Sequence, residues 1–118
     1  MFTLTFNLSS LASAVTEYVA IPKTCWLVKA VSVVNTTIIT TADTLLTFSD
    51  GTTDIGTITI TQSGCAVGDC DTLTLDTTSV GKVELDEDTP LVIEIDGSSG
   101  AGECNLTLVF SDFHGGTN

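Results

Sequence analysis

Four cysteines, a single histidine and fifteen acids are the side chains here that could do chemistry. Cys25, Cys65, Cys70 and Cys104 can pair as disulfides in three ways. Cys65 and Cys70 bracket a short loop, and Cys104 shares the inward parity of its own segment and could reach Cys25. The preferred expectation is therefore 65 with 70 and 25 with 104, and free buried thiols come next. Bridges in a protein made inside a cell and working outside it would form late, after release from the reducing compartment. A structural zinc site wants two close-spaced cysteine pairs, and the chain offers one. His114 lies in a Gly-rich tail, a poor base for a Ser-His-Asp triad. Gly97-Ser98-Ser99-Gly100 lacks the spacing of a nucleophile elbow, and no phosphate loop is present. Asp69 with Asp71, and Glu84 with Asp86, Glu87 and Asp88, offer the oxygens calcium takes. Neither group follows a calcium-loop pattern, and both read as solvated turn carboxylates. Asn7, Asn35 and Asn105 begin Asn-x-Ser/Thr triplets, which a chain so rich in Ser and Thr produces by chance. No catalytic residue, metal or cofactor is expected, and the chain does not read as an enzyme.

The elements that would position any site are strands. In residues 41–61, TADTLLTFSDGTTDIGTITIT, Leu46 and Phe48 share one face of a first run and Ile58 and Ile60 one face of a second. This is the two-residue period of half-buried strands. Ser49 to Asp54 supplies a glycine for positive φ and side chains that cap their own backbone, so the segment predicts a β-hairpin. The same grammar recurs elsewhere. Residues 1–8 alternate and read as a first strand, since their polar interruptions and lack of a basic start argue against an export signal. The chain is accordingly expected to be unprocessed and made in a cytoplasm. Residues 15–21 form a second run, ended by Pro22.

Residues 25–34 are apolar on both faces, with Trp26, Val28, Ala30 and Val34 on one and Cys25, Leu27, Val31 and Val33 on the other. A sandwich strand normally wets one face, so the second face is expected to be covered by a loop or by another subunit. Leu27, Val31 and Val33 are the candidate interface residues. Residues 62–71 read as a loop and 72–76 alternate again. Val83 and Leu85 suggest a short strand before an acidic turn. After Pro90, Leu91, Ile93 and Ile95 point inward while Val92, Glu94 and Asp96 point outward. Leu106, Leu108 and Phe110 give the core face of the last strand.

At 118 residues and 12.3 kDa the chain suits one domain, over residues 1–112, with a polar tail at 113–118. About eight short strands with no room for crossover helices predict an all-β, antiparallel two-sheet sandwich, jelly-roll-like. An immunoglobulin-like sandwich is the alternative, although Trp26 directly follows Cys25 instead of lying well beyond it. Three lysines, no arginine and a net charge of −12 exclude a phosphate backbone as partner. They also disfavour anionic membrane surfaces, and no apolar run approaches the length of a spanning helix.

VKAVSVVN (28–35), ITTADTLLTFSDGT (39–52), GTITITQSG (56–64) with Gly68-Asp69 after it, and the 81–97 stretch ending in LVIEIDG resemble small head decoration, or cement, proteins of tailed bacteriophages. The resemblance covers about residues 15–110, and the four cysteines depart from it. It implies a β-sandwich on the outer surface of the virion. Such a protein is commonly a homotrimer bound to the major capsid protein, with no cofactor. The alternative function is a receptor- or carbohydrate-binding module of a virion fibre, for which Trp26 and Tyr18 are the available aromatic platforms.

Overall fold

The computed structural model describes residues 1–76 and 83–112. Among them are ten strands and no helix: β1 (Phe2–Leu8), β2 (Val15–Val19), β3 (Cys25–Val34), β4 (Thr44–Ser49), β5 (Asp54–Ile60), β6 (Cys70–Thr72), β7 (Thr74–Leu75), β8 (Glu84–Leu85), β9 (Leu91–Ile95) and β10 (Cys104–Ser111). The tail with His114, and residues 77–82, lie outside the described residues. One sheet, A, has the order β1-β10-β3-β6, with β8 also on β3, and the other, B, has β2-β9-β4-β5-β7. All pairings are antiparallel.

Successive strands mostly change sheet, and the first and last long strands are neighbours. That is the interlocked double Greek key of a jelly roll. An immunoglobulin-like sandwich would instead pair its first two strands in one sheet. Here β1 and β2 lie in different sheets, which removes that alternative.

The hairpin of β4 and β5 forms as its alternation dictates. Leu46, Phe48 and Ile58 are fully buried, and each such side chain contributes about 1.5–3 kcal/mol by leaving water. Asp50 Oδ1 accepts from the N–H groups of Thr52 and Thr53 at 2.8 and 2.6 Å, and Gly51 takes φ 98°. β9 and β10 supply the rest of the central core through Leu91, Ile93, Leu106 and Phe110. Phe2, opposite Phe110 in the register, stacks on it with ring centroids 4.9 Å apart.

Two short segments depart from the simple pattern. Residues 72–76 do not form one strand: Thr72 ends β6, which starts at Cys70 inside the expected loop and pairs with β3 in sheet A, and the chain then crosses to pair β7 with β5 in sheet B. Gly56 permits that crossing, because a Cβ there would run into the backbone of Thr74 and Leu75. The predicted short strand at Val83 and Leu85 is present as β8, with Leu85 fully buried.

β3 holds the main correction. Its register against β10 slips between Val109 and Phe110, which pair with Lys29 and Leu27. Val28 is the extra residue of a β-bulge, and a bulge reverses which side the following residues face. Ala30, Ser32 and Val34 face inward on one side of it, and Leu27 and Cys25 face inward on the other, all of them buried. The strand is apolar on two faces by simple alternation, but the bulge brings Cys25, Leu27, Ala30 and Val34 to the same face. Leu27, 1 % exposed, is therefore a core residue and not a surface contact. Val31 and Val33 do lie on the outer side, half-buried. Trp26 is covered within its own chain.

Candidate functional site

The four cysteines are free thiols. Cys25 pairs across from Leu85 and Cys104 across from Val34, so the two sit at opposite ends of β3. At roughly 3.3 Å per residue this separates them by about 30 Å, whereas a disulfide needs Cα atoms within about 7 Å. The expected 25–104 bridge is thus ruled out by register: both thiols face inward, but at opposite ends of β3.

The loop of Cys65 and Cys70 is closed by its own backbone. Cys65 N–H donates to Gln62 O at 3.0 Å, Asp69 N–H to Ala66 O at 3.1 Å, and Ala66 N–H to Asp69 Oδ2 at 2.9 Å. Cys65 packs against the core while Cys70 is exposed beside Val33, so the 65–70 bridge is absent as well. Burial pushes the Cys25 thiol up to about 11 and the Cys104 thiol up to about 12. Both are protonated and inert at neutral pH.

The other sequence candidates resolve into structural roles. Ser99 is 3 % exposed, and its Oγ accepts from the N–H groups of Thr40 and Ala101, each at 3.2 Å. It ties two loops together and presents no nucleophile. Asn7 and Asn105 are register partners, with Asn7 Nδ2 donating to Asn105 Oδ1 at 2.8 Å and to Glu103 Oε2 at 2.9 Å. Asp86 Oδ1 accepts from Asp88 N–H within the acidic turn. Burial, then the charge of Asp69, raises the carboxyl of Asp71. Among the described residues no group of three or more His, Cys, Asp or Glu side chains is arranged to hold a metal ion. No described helix is long and apolar enough to cross a membrane.

What the fold assembles instead is two contrasting outer faces. Sheet A presents three central rows across its strands, Thr3, Val109 and Lys29; Thr5, Thr107, Val31 and Thr72; Asn7, Asn105, Val33 and Cys70, and a fourth toward one end, Ser111, Trp26 and Glu84. Thr5 and Thr107 hydroxyls meet at 3.2 Å. The three central rows hold none of the fifteen acids in the chain; Glu84 in the fourth row and Glu103, whose Oε2 accepts from Asn7, stand at the two ends of the face.

The outer face of sheet B has the row Thr16, Glu94, Thr47, Thr57 and Thr74, and beside it Tyr18, Val92 and Ser49. The β4–β5 turn curls over this second row and closes a cleft of about 230 Å³ between Gly51, Thr52 and Asp54 on one side and Thr16, Tyr18 and Glu94 on the other. Alternation alone correctly points Val92 and Glu94 outward, but the cleft also needs β2 laid beside β9, a pairing that no local signal announces. Of the two aromatic platforms considered for sugars, Trp26 is 8 % exposed and withdrawn, whereas Tyr18 is 69 % exposed.

Comparison with protein-family models, with curated proteins and with solved structures gave no match to this chain.

Proposed function

We propose that the chain is a structural virion protein, a decoration protein that binds the outer surface of an assembled tailed-phage capsid and opposes its separation. The observation that carries this reading is the carboxylate-free centre of the outer face of sheet A, between Glu84 and Glu103 at its two ends, on a chain of net charge −12. Charge of that size repels copies and partners alike everywhere except where it is missing. A face of cross-strand Thr, Asn and Val rows can dock without desolvating an acid.

Val31 and Val33 lie near the middle of this face and are assigned to contacts between copies in a homotrimer, a role Leu27 cannot share. The Thr and Asn rows around them would meet the major capsid protein. No chemistry is required of such a protein. Binding only the assembled lattice stabilises it by mass action, and a trimer multiplies a weak contact through effective concentration. A chain so acidic, with three lysines, is not expected to hold nucleic acid or an anionic membrane.

The test is to mix the purified protein with undecorated, expanded capsids and image them. Added density at threefold or quasi-threefold positions, lost with Val31→Asp and Val33→Asp, is the expected outcome. Bare capsids at saturating protein would overturn the reading.

A further inference from the structure

The cleft on sheet B has the makings of a binding site that is independent of shell docking, because it opens on the opposite side of the sandwich. Its floor is buried, with Val92 and Ser49 each 7 % exposed. Its turn wall is held in shape: Gly51 N–H donates to Ser49 Oγ at 3.1 Å, and Asp50 fixes the next two N–H groups. Over this rigid base stand the Tyr18 ring, the Thr16 and Thr52 hydroxyls, and the carboxylates of Glu94 and Asp54. Among the described residues neither carboxylate has a hydrogen-bond or ion-pair partner, and neither does the Tyr18 phenol. The site therefore offers an aromatic face, two acceptor-only groups and several hydroxyls that both donate and accept.

We propose that this cleft binds one neutral pyranose ring at the exposed end of a glycan. The apolar face of the sugar lies on Tyr18 and Val92, and its hydroxyls donate to Glu94 and Asp54 while accepting from Thr16 and Thr52. Two unneutralised carboxylates on a strongly acidic protein reject sialylated, uronic or phosphorylated sugars. An alkylammonium would satisfy the carboxylates, but it is donor-only and leaves the hydroxyl donors without acceptors. The volume, about 230 Å³, lies below the roughly 300–1,000 Å³ of sites that enclose a larger ligand, which limits the cleft to a single ring.

The experiment is a backbone amide NMR titration of the full chain with methyl glucoside, galactoside and mannoside at millimolar concentration, with spermidine as the cationic control. At least one glycoside is expected to shift Thr16, Tyr18, Thr52 and Glu94 saturably. Tyr18→Ala should weaken that binding by about tenfold or more, and Glu94→Gln should weaken it less. Thr5→Ala, on the far face, should leave it unchanged. Tyr18 is mostly exposed, so its removal spares the core. Saturable shifts from spermidine with none from the glycosides would overturn the proposal. So would silence from all three glycosides, or binding that survives Tyr18→Ala. Capsid binding is read separately and can fail or succeed without bearing on this result.

Discussion

The two outer faces of this sandwich draw on the same Thr-rich strands and yet differ in what they leave exposed. Sheet A shows central rows of hydroxyl, amide and methyl groups with one lysine and keeps its carboxylates to the two ends, whereas sheet B shows a tyrosine over a cleft with two unneutralised carboxylates. The lesson is that a strongly acidic surface gains its specificity from where the charge is withheld. A neutral face can meet another large surface, and a charged hollow can select a small solute.

The sharpest way to break the contrast is to put a charge on what periodicity takes for a third surface. Leu27→Asp places a carboxylate in the core, at an expected cost of about 3–5 kcal/mol, enough to unfold much of a domain with marginal stability. Urea denaturation should show this loss, while Val33→Asp should stay within about 1 kcal/mol of the parent. Equal effects would mean that the bulge is misplaced.

Next comes alkaline pH, which separates inner from outer thiols. Cys25 and Cys104 have folded-state values raised to about 11 and about 12, above the ordinary thiol near 9. Their contribution is present in full below pH 9 and is lost as pH rises toward 12, because the unfolded chain releases those protons first. Denaturation midpoints should fall across that window. At neutral pH, iodoacetamide should label the exposed Cys70 and spare the two core thiols until the protein unfolds.

Gly56→Ala tests how sheet B is anchored to its last strand. The added methyl meets the backbone of Thr74 and Leu75, and a loss of about 1–3 kcal/mol is expected in the same denaturation measurement.

A smaller stability effect with a large readout compares the faces directly. Val33→Asp should abolish self-association in sedimentation, and Thr59→Asp, exposed on sheet B, should not. Smallest of all is Asp112, half-buried and held at about 2 by the hydrogen bonds it accepts from Lys23 Nζ at 2.7 Å and from the Met1 ammonium at 3.0 Å. With its folded value below the ordinary carboxylate, its benefit is present above about pH 4 and fades as pH falls toward 2. A carboxyl carbon titration should place that midpoint, and added salt should raise it.

The sequence made the one-sided strands legible and the sidedness of β3 illegible, for a physical reason. Leu46, Phe48, Ile93, Ile95, Leu106 and Leu108 recur at every second position with Thr47, Glu94 and Thr107 between them, so a period of two identifies their inward face without any partner. In residues 25–34 nearly every position is apolar, so periodicity has nothing to contrast, and the inserted Val28 shows only in the register against β10. The 25–104 disulfide expectation failed on register alone, since both thiols face inward but the pairing of β10 with β3 sets them at opposite ends of that strand. Residues 72–76 alternate evenly through a change of sheet, which also depends on partners far away in sequence. The Tyr18 cleft was out of reach for that reason: its two walls are brought together by pairings of β9 with β2 and with β4.

Val28 has a corollary for how this polypeptide can vary in length. Loss of that residue alone would let Lys29 and Leu27 follow one another in regular pairing with Val109 and Phe110, and every neighbour would keep its orientation. Loss of Val31 or Ser32 would turn the rest of the segment inside out. The fold thus tolerates a codon deletion at one place in its longest strand, and the position can be read from the register.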